Sequence, residues 1–116
     1  MHKLIIKGLI LTCCVLLSFS SFAQEEGSWT GEVVDLDCYV ANGSKGDDHA
    51  QCAKTCIASG KPMGLLTENG DVMLLVPGSS AEALTALAGH KAEVKGKKSA
   101  NGGITMIVVS DAKKAG

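Results

Sequence analysis

The chain has 116 residues and carries 11 Lys+Arg against 12 Asp+Glu, a formal net charge of −1. That length suits one domain rather than two. The near-neutral balance argues against nucleic acid as a partner, because holding phosphates requires a basic face.

Residues 1–23 have the anatomy of a secretory signal. His2, Lys3 and Lys7 form a basic start, an apolar stretch follows from Gly8 to Leu17, and Ser21-Phe22-Ala23 places small residues at −3 and −1 of a cleavage site before Gln24. The apolar run is too short for a stable membrane span. Cleavage after Ala23 leaves 93 residues with nine Lys against twelve acids (net −3), three Cys, and Trp29 and Tyr39 as the aromatics. The expectation is a periplasmic or secreted bacterial envelope protein that meets an oxidising compartment. A core of this size is modest and gains from a disulfide or metal staple.

Residues 24–28 are polar and read as loose. Residues 29–36 read as a strand with Trp29, Gly31 and Val33 on one face and Thr30, Glu32 and Val34 on the other. Residues 39–47 are loop by composition. Asp48 and Gln51 have capping-box spacing and open an Ala-rich helix over 49–58, which Gly60 and Pro62 stop. Two strands, 63–67 and 72–76, flank Asn69-Gly70, a strong hairpin signal. Ser79 and Glu82 form a second capping box that opens a helix to about Ala88. Strands over 91–97 and 104–110 flank a Gly102-Gly103 turn, and Lys113-Lys114 read as a frayed tail.

The predicted architecture is therefore mostly β or α+β. It is a five-stranded barrel of the oligonucleotide/oligosaccharide-binding (OB) type over 24–116, with a Cys/His helix inserted after the first strand and a second helix between the third and fourth strands. Such barrels often bind single strands by stacking bases on aromatics within an Arg- and Lys-lined groove. This chain lacks Arg, and its mature part lacks Phe, so that role is discounted.

One cluster could carry chemistry: Cys38, His49, Cys52 and Cys56, spaced Cys-x10-His-x2-Cys-x3-Cys. His49, Cys52 and Cys56 stand at i, i+3 and i+7 of the predicted helix and share one stripe. Cys38 ends the first strand before a loop long enough to fold back. A Cys3His set suits Zn(II) in a tetrahedral site, and thiolates also suit Cu(I). The alternative is a disulfide from Cys38 to Cys52 or Cys56. It would close 13 or 17 intervening residues, worth about 3 kcal/mol in the chain-entropy model. One free thiol would remain, because three Cys cannot all pair within one chain. A catalytic thiol, with His49 as base to Cys52, is the thinnest reading, since nothing completes an oxyanion hole or substrate pocket. No enzyme is expected.

Other candidates carry less. His90 reads as an exposed strand-start residue, and Met63, Met73 and Met106 read as core filler rather than soft ligands. Asp35, Asp37, Asp47 and Asp48 form an acidic rim around the cluster. That rim reads either as a solvated loop with a helix cap or as a field that attracts cations.

The run Thr30-Gly31-Glu32-Val33-Val34-Asp35, then Cys38-Tyr39, His49, Cys52-Ala53-Lys54-Thr55-Cys56, Gly60-Lys61-Pro62 and Gly64-Leu65-Leu66, resembles a group of small exported bacterial proteins of uncharacterised function. The resemblance implies an envelope location and, in part, the OB-like fold. The functional expectation is an exported domain that binds Zn(II) or Cu(I) through Cys38, His49, Cys52 and Cys56, in a structural or trafficking role. Its partner would be the metal ion, with an envelope protein as a further one. The competing expectation is a disulfide-stapled interaction or stability module.

Overall fold

A computed structural model describes residues 24–116. The expected signal over 1–23, and the export read from it, lie outside the described residues. The described chain is mostly β, with five strands and three short helices. Strands β1 (Glu25–Asp35), β2 (Met63–Leu66), β3 (Val72–Val76), β4 (Lys91–Asn101) and β5 (Ile104–Lys114) close a barrel in the order β1-β2-β3-β5-β4. Every neighbouring pair is antiparallel except β3 with β5, which run parallel. Helices α1 (Leu36–Asn42) and α2 (Ala50–Ala58) follow β1, and α3 (Ala81–Ala86) lies between β3 and β4. Among the described residues, no helix is long and apolar enough to cross a membrane.

The first strand is long because it serves two partners. Its outer half, Glu25–Glu32, pairs with Lys98–Lys91 of β4, and its inner half, Glu32–Asp35, pairs with Leu66–Met63 of β2. Gly31 sits near the changeover, where a Cβ would stand 2.5 Å from the Leu66 carbonyl oxygen. Only a residue without a side chain lets the two backbones approach that closely.

The polar start of the domain is therefore not loose. Glu25 reaches Lys98 at 3.5 Å, and Lys98 lies 5.5 Å above the Trp29 ring. Ser28 donates to Glu93 at 2.8 Å, and Lys113 pairs with Glu93 at 3.4 Å. These cross-strand pairs carry β1 back to Glu25 and carry β4 and β5 to Asn101 and Lys114, beyond the expected ends at 97 and 110. Their composition looks loop-like because both faces of the extension meet water. Ladder pairing, not burial, makes them strand.

The core is one cluster that both the barrel and the helices feed. Val33, Leu65, Leu75, Val94 and Ile107 come from the five strands, Ala53 and Ile57 from α2, and Leu84 and Ala88 from α3 and the turn after it. Leu84 is fully buried. Met63 and Met73 are buried in the same cluster, in the filler role expected of them.

Both expected capping boxes are absent. Each helix is preceded by a 3-10 turn, Asp47–His49 before α2 and Gly78–Ser80 before α3, and neither helix has a side-chain cap. Main-chain bonds within these turns already take up donors, His49 N–H to the Gly46 carbonyl at 3.0 Å and Ser80 N–H to that of Pro77 at 2.8 Å. Tightened terminal turns of this kind leave fewer orphan donors for a side chain to satisfy. The segment expected as loop from residue 39 contains most of α1. Asp35 caps its start, and Gly43, at φ 75°, closes it with a bond from its N–H to the Tyr39 carbonyl.

Candidate metal centre

Asp35 is the last residue of β1 and the N-cap of α1. It is only 1 % exposed. Its Oδ1 accepts from the Cys38 backbone N–H at 3.1 Å. That cap bond fixes the carboxylate and puts Cys38 in the first turn of α1, directly beside it. The position of Cys38 thus differs from the expected strand end: a helix, not the strand, aims its sulfur.

The loop after α1 returns His49 to the same place, and three contacts hold it there. Gly46 donates its N–H to Glu32 Oε2 at 2.5 Å. Asp47 Oδ1 lies 3.4 Å from His90 Nδ1. Ala50, the first residue of α2, packs so tightly on Gly89 that a Cβ there would stand 2.5 Å from the Ala50 Cβ. Gly89 also has φ +83°, a conformation that disfavours any side chain. The loop is therefore fastened to β1 on one side and to the segment before β4 on the other.

The result is a convergence of ligating atoms. Asp35, Cys38 and His49 each offer one atom, and these lie within 4.8 Å of one another. His49 Nε2 stands 3.6 Å from Asp35 Oδ2. Neither of these two atoms is exposed to solvent, and neither makes a close hydrogen bond, so Asp35 Oδ2 is met only by the longer approach of His49 and the neighbouring thiols. A buried carboxylate oxygen without a close hydrogen bond is costly, about 1–3 kcal/mol or more for a charged group, and native structures rarely leave one so.

Cys56 lies on α2 near the trio, close enough for the Asp35 charge to raise its thiol, but outside the group of three converging atoms. Cys52, one helical turn earlier, is exposed, while Cys38, His49 and Cys56 are half-buried. Of the four predicted ligands, the structure thus gathers Cys38 and His49 around Asp35, sets Cys56 beside them and leaves Cys52 at the rim. Asp37 pairs with Lys61 at 3.3 Å on the exposed surface, and His90 is engaged with Asp47, so neither joins the cluster. The three described thiols are free.

Asp35 is the ligand candidate that sequence reasoning had placed only in an acidic rim. Its signal was present in two forms. It ends the apolar run Val33-Val34, and it stands three residues before Cys38, the spacing of an N-cap with the residue whose N–H it accepts.

The charges follow from this packing. Burial pushes the Asp35 carboxyl up, but donors around it, first the Cys38 backbone N–H and then the Cys38, His49 and Cys56 side chains, outweigh burial and hold it below its ordinary value. Cys38 is pushed up to about 11, first by its contact with the Asp35 carboxylate and next by burial. Burial, followed by the Asp35 charge, also raises Cys56. Without metal the centre is an ionised carboxylate ringed by protonated thiols. A divalent cation inverts that logic, because its own charge becomes the largest in the site.

No protein-family model matches the chain, and neither a curated protein nor a solved structure is significantly similar to it.

Proposed function

We propose that the protein is an exported zinc-binding domain that holds Zn(II) through Asp35, Cys38, His49 and Cys56. The observation that carries the reading is the pair of buried atoms without a close hydrogen bond, Asp35 Oδ2 and His49 Nε2, 3.6 Å apart and within ligating reach of Cys38. One dication coordinated by both would satisfy both. Zinc accepts carboxylate, imidazole and thiolate together in tetrahedral sites. The carboxylate favours Zn(II) over Cu(I), which selects softer sets of thiolate and thioether. Compared with the Cys3His set expected from spacing, Asp35 takes the place of Cys52.

The strand order and the helix between β3 and β4 support an OB-type barrel as scaffold. Export rests on the residue pattern of 1–23. A metal-loaded envelope protein would have the ion as its first partner and a second envelope protein as its source or recipient.

Native mass spectrometry of protein purified from the periplasm tests the reading. The expected result is one zinc per chain and three free thiols after the metal is removed. A mass two hydrogens below the metal-free chain, with one free thiol, replaces it with the disulfide-stapled module joined through Cys38.

A further inference from the structure

We propose that Cys52 is the exchange ligand of this centre, the sulfur through which zinc passes to and from a thiol-bearing acceptor. The proposal rests on the zinc reading above and gives the site a transfer role rather than a closed structural one. The ligating groups are graded in depth. Asp35 is fully buried, Cys38, His49 and Cys56 are half-buried, and Cys52 is exposed. Cys52 lies on α2 three residues after His49 and four before Cys56, so all three share one face of the helical segment. Ala50, Ala53 and Ile57 occupy the buried face. One helical turn before Cys56, Cys52 stands at the exposed edge of the same stripe.

Around the converging trio of Asp35, Cys38 and His49, the proposed exchange takes two overlapping sets of four ligands. The inner one is Asp35, Cys38, His49 and Cys56. The outer one keeps Cys38, His49 and Cys56 and replaces the deepest ligand, Asp35, with the outermost, Cys52. Passage between them breaks the bond from zinc to Asp35 Oδ2 and forms a bond from zinc to Cys52 Sγ. The Cys52 proton goes to water, the Asp35 carboxylate stays ionised and capped on Cys38 N–H, and no oxidation occurs. Zinc would have four ligands before and after the exchange and would finish at the exposed edge of the site, where an incoming thiolate can reach it. A purely structural site gains nothing from a fourth soft ligand at its rim, whereas an exchanging site needs one, because a stepwise swap avoids a bare, under-coordinated ion.

The test compares zinc-loaded wild type with Cys52→Ser and Cys56→Ser. Equilibrium affinity is read by competition with a chromophoric chelator, and the transfer rate by zinc delivery to dithiothreitol. The expected result is that C52S binds one zinc with affinity within about threefold of wild type, while C56S loses more than the roughly 10–100-fold typical of an outer-shell partner. C52S should nonetheless transfer zinc about tenfold more slowly or worse, since it changes the rate and not the end states. Transfer by C52S at the wild-type rate overturns the exchange role and leaves the zinc site standing. Loss of affinity in C52S equal to that in C56S overturns it too, by making Cys52 a primary ligand. No zinc bound by wild type overturns both readings. Cys52 is exposed, so its replacement leaves folding intact, and circular dichroism of C52S checks this.

Discussion

The substitution Asp35→Asn separates the two tasks of the buried carboxylate. Asparagine keeps the oxygen that accepts from Cys38 N–H and is as good an N-cap as aspartate, whereas alanine at such a position costs about 1 kcal/mol. It removes the negative charge that the donors around Asp35 favour in the fold. Metal-free D35N should therefore melt below wild type, and D35A, which also lacks the cap, lower still. Zinc should widen the gap between wild type and both variants. At a free concentration about a thousand times the dissociation constant, zinc stabilises the wild type by about 4 kcal/mol. In a domain of this size that raises the melting temperature by roughly 15–30 °C. Loss of a ligand that weakens binding about 100-fold leaves D35N with ~1.4 kcal/mol of stabilisation at the same zinc concentration. The corresponding rise is roughly 6–11 °C. Scanning calorimetry with and without zinc reads both numbers. Equal zinc shifts in wild type and D35N, with D35N melting like the wild type before zinc is added, would show that Asp35 is a cap and nothing more.

Further expectations concern pH, backbone and core. The Cys38 thiol is raised in the fold from 9.0 to about 11, so between those values the folded chain keeps a proton the unfolded chain has lost. Its contribution to metal-free stability is full below pH 9 and is lost as pH rises through about 11. Urea midpoints should fall over that interval in wild type and fall less steeply in Cys38→Ser. Asp35 acts in the opposite sense: its carboxyl is held below 3.8, so its contribution is present above that value and disappears as pH falls past it. Because Cys38 and Cys56 bind metal only as thiolates, zinc uptake at pH 7 should release close to two protons, measurable by titration calorimetry in buffers of different ionisation enthalpy. Gly89→Ala places a methyl group against Ala50 at positive φ. It should destabilise the fold by about 1–3 kcal/mol and weaken zinc binding by shifting the start of α2, whereas Gly102→Ala, with open space around its Cβ, should leave zinc binding unchanged. Leu84→Ala, at a fully buried position, should lower denaturation free energy by about 2–5 kcal/mol.

How the centre came to include Asp35 shows which parts of this protein are local. The hairpin at Asn69-Gly70, the third strand over Val72–Val76 and the glycine that ends α1 all follow from short-range rules. So does the helical placement of Cys52 and Cys56, whose relative position is a matter of one turn. The order of the five strands, α2 and α3 was legible for the same reason, since turn residues and alternation punctuate the chain at those boundaries, whereas α1 fell in a stretch that reads as loop. Even Cys38 and His49 could be paired in advance, as two ligating residues joined by a loop long enough to close.

Tertiary structure alone decided which fourth group meets them. The aspartates at 35, 37, 47 and 48 are chemically alike in sequence, yet only Asp35 lies where β1 leaves β2 and enters a helix. There the barrel buries the carboxylate, the first turn of α1 occupies one of its oxygens, and the other turns toward His49. The extensions of β1, β4 and β5 were hidden for a related reason, because their stability comes from partners some 70 residues away along the chain, as Glu25 with Lys98 shows. Spacing fixes what a residue can be near on its own element. Burial, and therefore charge and ligation, depends on distant segments packing over it, and that information belongs to no single stretch of chain.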